Sequence, residues 1–170
     1  MILKEICLLA SDTTRTRAYL TALFKNNLIP SLVLLLPQNK KKDLPGMIKR
    51  QKYFNDNFKN DEWEYASFDL NMDINLFLNS NSIKYKSLPN HDINNSENIR
   101  IISSLAQNII IYSGYGGFLL KKNILSTGKN FLHVHGGYLP QYKGSTTNYY
   151  SLILEGKLGA SSILLNEKID

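Results

Sequence analysis

Residues 5–36 read EICLLASDTTRTRAYLTALFKNNLIPSLVLLL, and the fold class follows from this stretch. Residues 5–11 and 31–36 are short apolar runs between polar residues, a pattern typical of buried strands. Between them, Thr13 or Thr14 suits the N-cap of a helix that extends to about Asn26. Two strands joined by one helix form a βαβ unit, so we expect the two strands to be parallel.

The rest of the chain continues this alternation of apolar runs and amphipathic stretches. Helices are predicted over 47–58, 73–78, 96–107 (with Ser96 as the cap) and 145–154, and strands near 83–85, 108–112, 131–134 and 161–165. The run 108–112, Asn-Ile-Ile-Ile-Tyr, is the clearest strand. The sequence therefore predicts one α/β domain with a doubly wound, mostly parallel, Rossmann-like sheet.

Composition narrows the class of protein. The 170 residues include 43% apolar side chains and one cysteine, which suits a globular domain and excludes a disulfide framework or a multi-thiolate zinc site. No signal peptide is recognisable, and no apolar run approaches the ~20 residues that span a bilayer, so we expect a soluble cytoplasmic protein. The net charge is +6, with a basic stretch at residues 40–42; we interpret it as a solvated loop, with a phosphate-binding surface as the alternative.

Glycines follow the clearest strand, at the edge of the sheet where α/β proteins bind ligands. Residues 113–117 read Ser-Gly-Tyr-Gly-Gly, but Leu119 stands where a dinucleotide fingerprint needs glycine, and no Walker A sequence occurs. Gly116 and Gly117 would still let a flat ligand approach the main chain closely. An ordinary strand-to-helix turn is the alternative interpretation.

Two histidines lie at the end of the next predicted strand. His133 and His135 are two residues apart, so in an extended segment their side chains share one face. They could bind a metal, but the sequence offers no evident third and fourth ligands, and His91 is expected at the surface. Alternatively, one imidazole transfers a proton and a carboxylate orients it; Asp170, at the end of the last predicted strand, is the candidate.

Residues 133–144, HVHGGYLPQYKG, resemble the N-x-H-P-S-L-L-P-x-Y-R-G signature of the formyltransferases that use 10-formyltetrahydrofolate. This family includes methionyl-tRNA, glycinamide ribonucleotide and amino-sugar N-formyltransferases. Residues 112–119 are similar to the family's strand and folate-contacting loop, and 145–159 to its following helix and glycine-containing connection. Residues 167–170 resemble the segment that ends in the catalytic aspartate, so the resemblance extends over 108–170.

The resemblance implies roles for individual residues. His135 would be the proton-transfer group and Asp170 its orienting carboxylate, while His133 replaces the family's asparagine and would help to hold the oxyanion. Gly136 and Gly137 replace the family's Pro-Ser pair. Main-chain groups at Gly116, Gly117 and Leu119 would contact the pterin, and the acceptor would dock near Tyr138, Tyr142, Lys143 and Ser145.

The implied activity is transfer of a formyl group from 10-formyltetrahydrofolate to an amine. A small acceptor such as a nucleotide-linked amino sugar is favoured over methionyl-tRNA, and no membrane partner is expected. One alternative is a non-catalytic folate- or sugar-nucleotide-binding module, which the replacement of the family's asparagine favours. The other is a formyltetrahydrofolate hydrolase. Because the family continues past the position of Asp170, residues 1–170 are expected to form its N-terminal catalytic domain, incomplete at the C-terminus.

Overall fold

The computed structural model describes residues 1–38, 68–144 and 147–167, which build a six-stranded sheet of order β3-β2-β1-β4-β5-β6. The strands are β1 (Ile2–Ser11), β2 (Ile29–Leu36), β3 (Tyr85–Ser87), β4 (Ile109–Ser113), β5 (Asn130–His135) and β6 (Ser161–Leu164). The helices are α1 (Thr14–Lys25), α2 (Ile74–Ser80), α3 (Ser96–Ser103), α4 (Lys122–Leu125) and α5 (Thr147–Glu155).

The βαβ unit predicted at the N-terminus is confirmed. The side chain of Thr13 caps α1 by accepting from the main-chain N–H of Thr16, and β1 and β2 pair in parallel. β1 also pairs in parallel with β4, on its other side. The order of the strands therefore reverses between β1 and β4, which is where open α/β sheets form their ligand crevice.

The sheet is buried on both faces, as expected for parallel strands. Alternate residues of β1 divide between two apolar clusters: Cys7 and Leu9 pack with Tyr112 and Phe131, while Leu8 packs with side chains of α1 and α2. The continuous apolar runs recognised in the sequence reflect this burial on both sides.

Several element boundaries differ from the sequence prediction. The helix predicted to start at Ser96 as its cap is capped by Asn95 instead, whose side chain accepts from the main-chain N–H of Glu97 at 3.0 Å. The strand expected near 83–85 begins at Tyr85, because Ile83 packs into the core before strand pairing starts. The short helix α4 was not predicted, and the helix predicted over 47–58 and the basic stretch 40–42 lie outside the described residues.

The last strand departs from the parallel arrangement. β6 pairs antiparallel with β5, and in this register His135 lies opposite Ser161 and His133 opposite Ile163. The end of β5 is therefore flanked by β4 on one side and by the start of β6 on the other. This arrangement places the two histidines between two strands and next to the turn that follows β5.

Candidate active site

A cleft of about 720 Å³ opens at the carboxyl ends of β4 and β5. One wall is the loop between β4 and α4, residues 114–121, called the glycine-containing loop below. The other wall is formed by the end of β5 and the start of α5. The described residues that line it are Arg15, Tyr19, Tyr112, Tyr115, Gly116, Gly117, Phe118, Leu119, Leu120, His133, Val134, His135, Gly136, Gly144, Thr147, Asn148, Tyr149, Ile163 and Leu165. Both predicted motifs therefore face one cavity.

The glycine-containing loop rests on the side chain of Tyr112. Its ring is buried beneath Gly114, where a Cβ atom would overlap the phenol, and its hydroxyl donates to the carbonyl of Phe118 at 3.1 Å. Burial raises the pKa of Tyr112 to about 12, so this hydroxyl keeps its proton as a donor. Residues 116–119 are exposed, and a Cβ at Gly116 would meet no atom within 4 Å, which leaves the main chain open to a ligand.

His135 is 8% exposed and is held by the turn that follows it. Its Nε2 lies 2.8 Å from the carbonyl oxygen of Tyr142. A carbonyl can only accept, so Nε2 carries the hydrogen and Nδ1 is the acceptor nitrogen of the neutral ring.

His133 has the opposite arrangement of its ring nitrogens. Its Nδ1 lies 3.3 Å from the carbonyl oxygen of Tyr112, and the two rings are tilted at 48° with centroids 6.2 Å apart. The same argument assigns the hydrogen to Nδ1, which makes Nε2 an acceptor when the ring is neutral and a donor when it is protonated. The bond to Tyr112 ties the end of β5 to the end of β4, on which the glycine-containing loop rests.

The turn after β5 is held by hydrogen bonds from α5 and β6. The hydroxyl of Thr147 donates to the carbonyl of Gly136, and the Ser161 hydroxyl donates to that of Gly137 at 2.8 Å. With its amide oriented to satisfy its neighbours, Asn148 donates to the carbonyls of Gly136 and Gly159, each at 3.0 Å. These bonds fix the main chain next to His135.

Close packing explains the glycine at position 137. A Cβ atom there would lie 2.9 Å from the carbonyl oxygen of Tyr142, 2.6 Å from Oγ1 of Thr147 and 3.1 Å from Nε2 of His135. The Tyr142 carbonyl holds the His135 ring, and the Thr147 hydroxyl donates to the carbonyl of Gly136 next to that histidine. The serine that the family resemblance leads one to expect at position 137 would therefore disturb His135 in this chain.

The predicted site residues fall into three groups. His133, His135, Gly116, Gly117 and Leu119 all line the cleft, as the sequence predicted for neighbouring turns. Tyr138 packs its ring against Gly159, the Tyr142 hydroxyl donates to Glu155 at 2.7 Å, and Lys143 is exposed, so these three lie around the turn and not in the lining described above. Ser145 and Asp170 lie outside the described residues.

Two helices contribute residues to the cleft that were not predicted from the sequence. Arg15 and Tyr19 reach it from the first turns of α1, and Thr147 and Asn148 from the start of α5. The position of α1 directly after β1 could have indicated Arg15 and Tyr19, because the carboxyl end of β1 borders the crevice. Nothing in the sequence indicates that Thr147 and Asn148 reach the cleft.

Within 1–38, 68–144 and 147–167, no three His, Cys, Asp or Glu side chains are grouped so that they could hold a metal ion. Among the helices of those same ranges, none combines the length and the apolar character needed to cross a membrane.

The chain is similar in sequence to proteins of known function over part of its length. No protein-family model matches the chain. Methionyl-tRNA formyltransferase of Finegoldia magna is 37% identical over 78 residues, which are 45% of this chain and 25% of that protein. The match to the curated relatives thus spans about a quarter of their length.

Solved structures with the same fold include phosphoribosylglycinamide formyltransferase from Anaplasma phagocytophilum, with a TM-score of 0.59 and 12% identity over 98% of this chain and 67% of that one. A formyltetrahydrofolate deformylase from Pseudomonas syringae pv. tomato has a TM-score of 0.58 and 15% identity over 98% of this chain and 47% of that one. The comparisons therefore show a formyltransferase fold and confirm the resemblance of this chain to the formyltransferase family.

Proposed function

We propose that the protein transfers a formyl group from 10-formyltetrahydrofolate to an amine. The observation that carries the proposal is the position of His135, almost buried at the end of β5 and facing the same cleft as the exposed glycine-containing loop. A histidine ring held by a main-chain carbonyl suits proton transfer. The glycines of the loop opposite it leave main-chain groups accessible to a flat ligand.

The cleft fits a folate in size and lining. Its volume of about 720 Å³ lies within the range of about 300–1,000 Å³ typical of small-molecule sites. Tyr115 and Phe118 supply apolar surface beside the exposed main chain of Gly116 and Gly117. When bound there, the donor would supply an activated formyl carbon.

The histidines would handle protons and charge. As the amine nitrogen bonds to the formyl carbon, His135 would take the amine proton at Nδ1, while the carbonyl of Tyr142 keeps the ring in place. It would return that proton to the tetrahydrofolate nitrogen that held the formyl group, as the carbon–nitrogen bond of the donor breaks. Asp170 would stabilise the protonated ring by its negative charge, as the family resemblance implies. His133 would donate to the developing oxyanion from Nε2, for which the ring must be protonated, since Nδ1 already donates to Tyr112.

The acceptor is proposed to be a small amine that carries an anionic group, such as a nucleotide-linked amino sugar, with methionyl-tRNA as the alternative. Arg15 at the cleft provides a positive charge for such a group. The similar proteins are named after different acceptors, a transfer RNA in one and a phosphoribosyl compound in another. The domain that acts would be residues 1–170, as part of a cytoplasmic protein.

A second candidate is hydrolysis of the formyl donor, with water in place of the amine. The likeness to a formyltetrahydrofolate deformylase favours it, because the same histidine could exchange the proton of a water molecule. A binding module without catalysis is the third candidate, and the replacement of asparagine by His133 favours that one.

The test measures binding and turnover in the same preparation. Titration calorimetry should show that 5-formyltetrahydrofolate binds more tightly than NAD or ATP. Tetrahydrofolate release from the 10-formyl donor should then depend on added amine; release without amine would indicate the hydrolase, and binding without release the binding module. Nucleotide binding with no folate binding would refute the proposal.

A further inference from the structure

Asn94 bonds the far end of the glycine-containing loop with both atoms of its side-chain amide. Its Nδ2 donates to the carbonyl of Leu119 at 3.0 Å, and its Oδ1 accepts from the main-chain N–H of Lys121 at 2.8 Å. One side chain thus pairs with the main chain on both sides of Leu120, whose own side chain is buried in the core. The contact joins two segments 25 or more residues apart in the sequence.

The turn that carries Asn94 is itself well held. Asn98 is fully buried, and its Nδ2 donates at 2.8 Å to the carbonyls of both Asn90 and Asp92. The carboxylate of Asp92 accepts from the main-chain N–H of Asn94 at 2.9 Å, and Ile93 is buried beside it. Asn94 therefore projects from a rigid support, and its amide can hold another segment in place.

The loop needs such a support. Residues 116–119 are exposed, and two of them are glycines, which lose the most conformational freedom when they are ordered. The hydroxyl of Tyr112 holds the loop from below at Phe118, and Asn94 holds it at Leu119 and Lys121. Ordering the loop before a ligand arrives removes that cost from binding.

We propose that Asn94 is a positioning residue that orders the glycine-containing loop so that it can bind the folate. The inference rests on the proposed function, in which the main chain of this loop contacts the pterin. Asn94 does not line the cleft, so its removal should weaken donor binding and leave the proton-transfer step unchanged.

The amide of Asn94 can be dissected by substitution. Asn94→Ala removes both bonds to the loop, whereas Asn94→Asp keeps the acceptor for the Lys121 N–H and loses the donor to Leu119. Asn79→Ala, on the exposed surface of α2, is the matched control. We expect Asn94→Ala to raise the Kd for 5-formyltetrahydrofolate and the KM for the 10-formyl donor by about tenfold, with kcat changed less than about twofold.

Amide hydrogen exchange gives a readout that needs no ligand. The Lys121 amide should exchange faster in Asn94→Ala than in the wild type, and Asn94→Asp should retain most of its protection. Wild-type affinity and wild-type Lys121 exchange in Asn94→Ala would overturn the inference and leave the proposed function intact. A wild-type protein that binds no 5-formyltetrahydrofolate would overturn the proposed function, and the inference with it.

Discussion

Both histidines at the end of β5 have one ring nitrogen bound to a main-chain carbonyl, and the two use different nitrogens. Tyr142 accepts from Nε2 of His135, and Tyr112 accepts from Nδ1 of His133. The two rings are therefore held through different nitrogens, Nε2 in His135 and Nδ1 in His133. Residues that differ in this way should also differ in the effect of their substitution.

Replacement of His135 by alanine removes the proposed proton-transfer group. We expect turnover to fall by about 10²–10⁴-fold with little change in folate affinity, because the folate would be held by the opposite wall of the cleft. Steady-state formyl transfer and titration calorimetry on the same variant test this. An equal loss of affinity and turnover would assign His135 to binding instead.

Substitution of His133 tests the oxyanion role. His133→Asn supplies an amide donor in nearly the same place, so activity should survive or rise, whereas His133→Ala should cost about 10²–10³-fold in turnover. If His133 instead only ties β5 to β4 through Tyr112, both variants should keep wild-type turnover and lose thermal stability. Measurement of kcat and Tm for both variants separates the two roles.

Gly137 is a position where one methyl group should matter. In Gly137→Ala, the new Cβ would crowd the Tyr142 carbonyl and the His135 ring, so we expect a destabilisation of about 1–3 kcal/mol. Gly116→Ala is the matched control for stability, because nothing lies within 4 Å of a Cβ at that position. Equal urea-unfolding midpoints for the two variants would contradict the packing argument.

At the level of elements, Thr16 joins the first helix to both strands of the crevice. It is fully buried, and its hydroxyl lies 2.6 Å from the carbonyl oxygen of Ser11 and 2.9 Å from the hydroxyl of Ser113. These two serines end β1 and β4, the strands between which the sheet order reverses. A single hydroxyl thus fixes α1 at the switch point of the sheet.

The isosteric change Thr16→Val tests this connection. It keeps the shape of the side chain but leaves buried polar groups of Ser11 and Ser113 without their partner, which should cost about 1–3 kcal/mol. Thr16→Ser retains the hydroxyl and should recover most of that loss. Urea unfolding of both variants would contradict the assignment if they were equally destabilised.

The pattern of apolar residues predicted the helices and strands well where the buried residues are also the ones that form the main-chain hydrogen bonds of the element. β1, α1 and β2 are such cases. The two turns of the site were predicted from β4 and β5 in the same way, because turns after neighbouring parallel strands meet at one edge. Pattern failed where the two properties separate: Ile83 is buried but precedes strand β3. Strand direction is another failure, since the apolar run of β6 is compatible with either direction and only pairing with β5 sets it.

The site was predicted unevenly for a similar reason. The loop glycines and His135 carry signals in the sequence, a glycine pair and a histidine after apolar runs. Thr147 and Asn148 carry none, because their positions at the cleft depend on how α5 packs on the sheet. Arg15 is indicated only by the position of α1 directly after β1. The role of Asn94 depends likewise on a contact between segments far apart in the chain.

Across the whole molecule, the centre of the sheet holds two acidic groups that should make stability depend on alkaline pH. Cys7 and Tyr112 lie on the paired strands β1 and β4 and are 0% and 5% exposed. Burial raises the pKa of the Cys7 thiol from 9.0 to about 12 and that of the Tyr112 phenol from 10.0 to about 12. Both groups therefore stay protonated in the folded protein at pH values where the unfolded chain has ionised.

The sign of the effect follows from these pKa values. A raised folded-state pKa gives stability that is fully present below the unfolded pKa, so neither group changes the free energy of unfolding below about pH 9. From pH 9 for Cys7 and pH 10 for Tyr112, up to about pH 12, each should lower that free energy by up to about 1.4 kcal/mol per pH unit. The Cys7→Ala and Tyr112→Phe double variant should be less stable at pH 8, because it loses packing and the hydroxyl bond to Phe118, yet its stability should fall less steeply with pH. Urea unfolding at pH 8, 9, 10 and 11 measures how the free energy of unfolding changes with pH in the wild type and in the double variant. Equal slopes for the two proteins would contradict the argument, because they would show that Cys7 and Tyr112 ionise alike in the folded and unfolded chains.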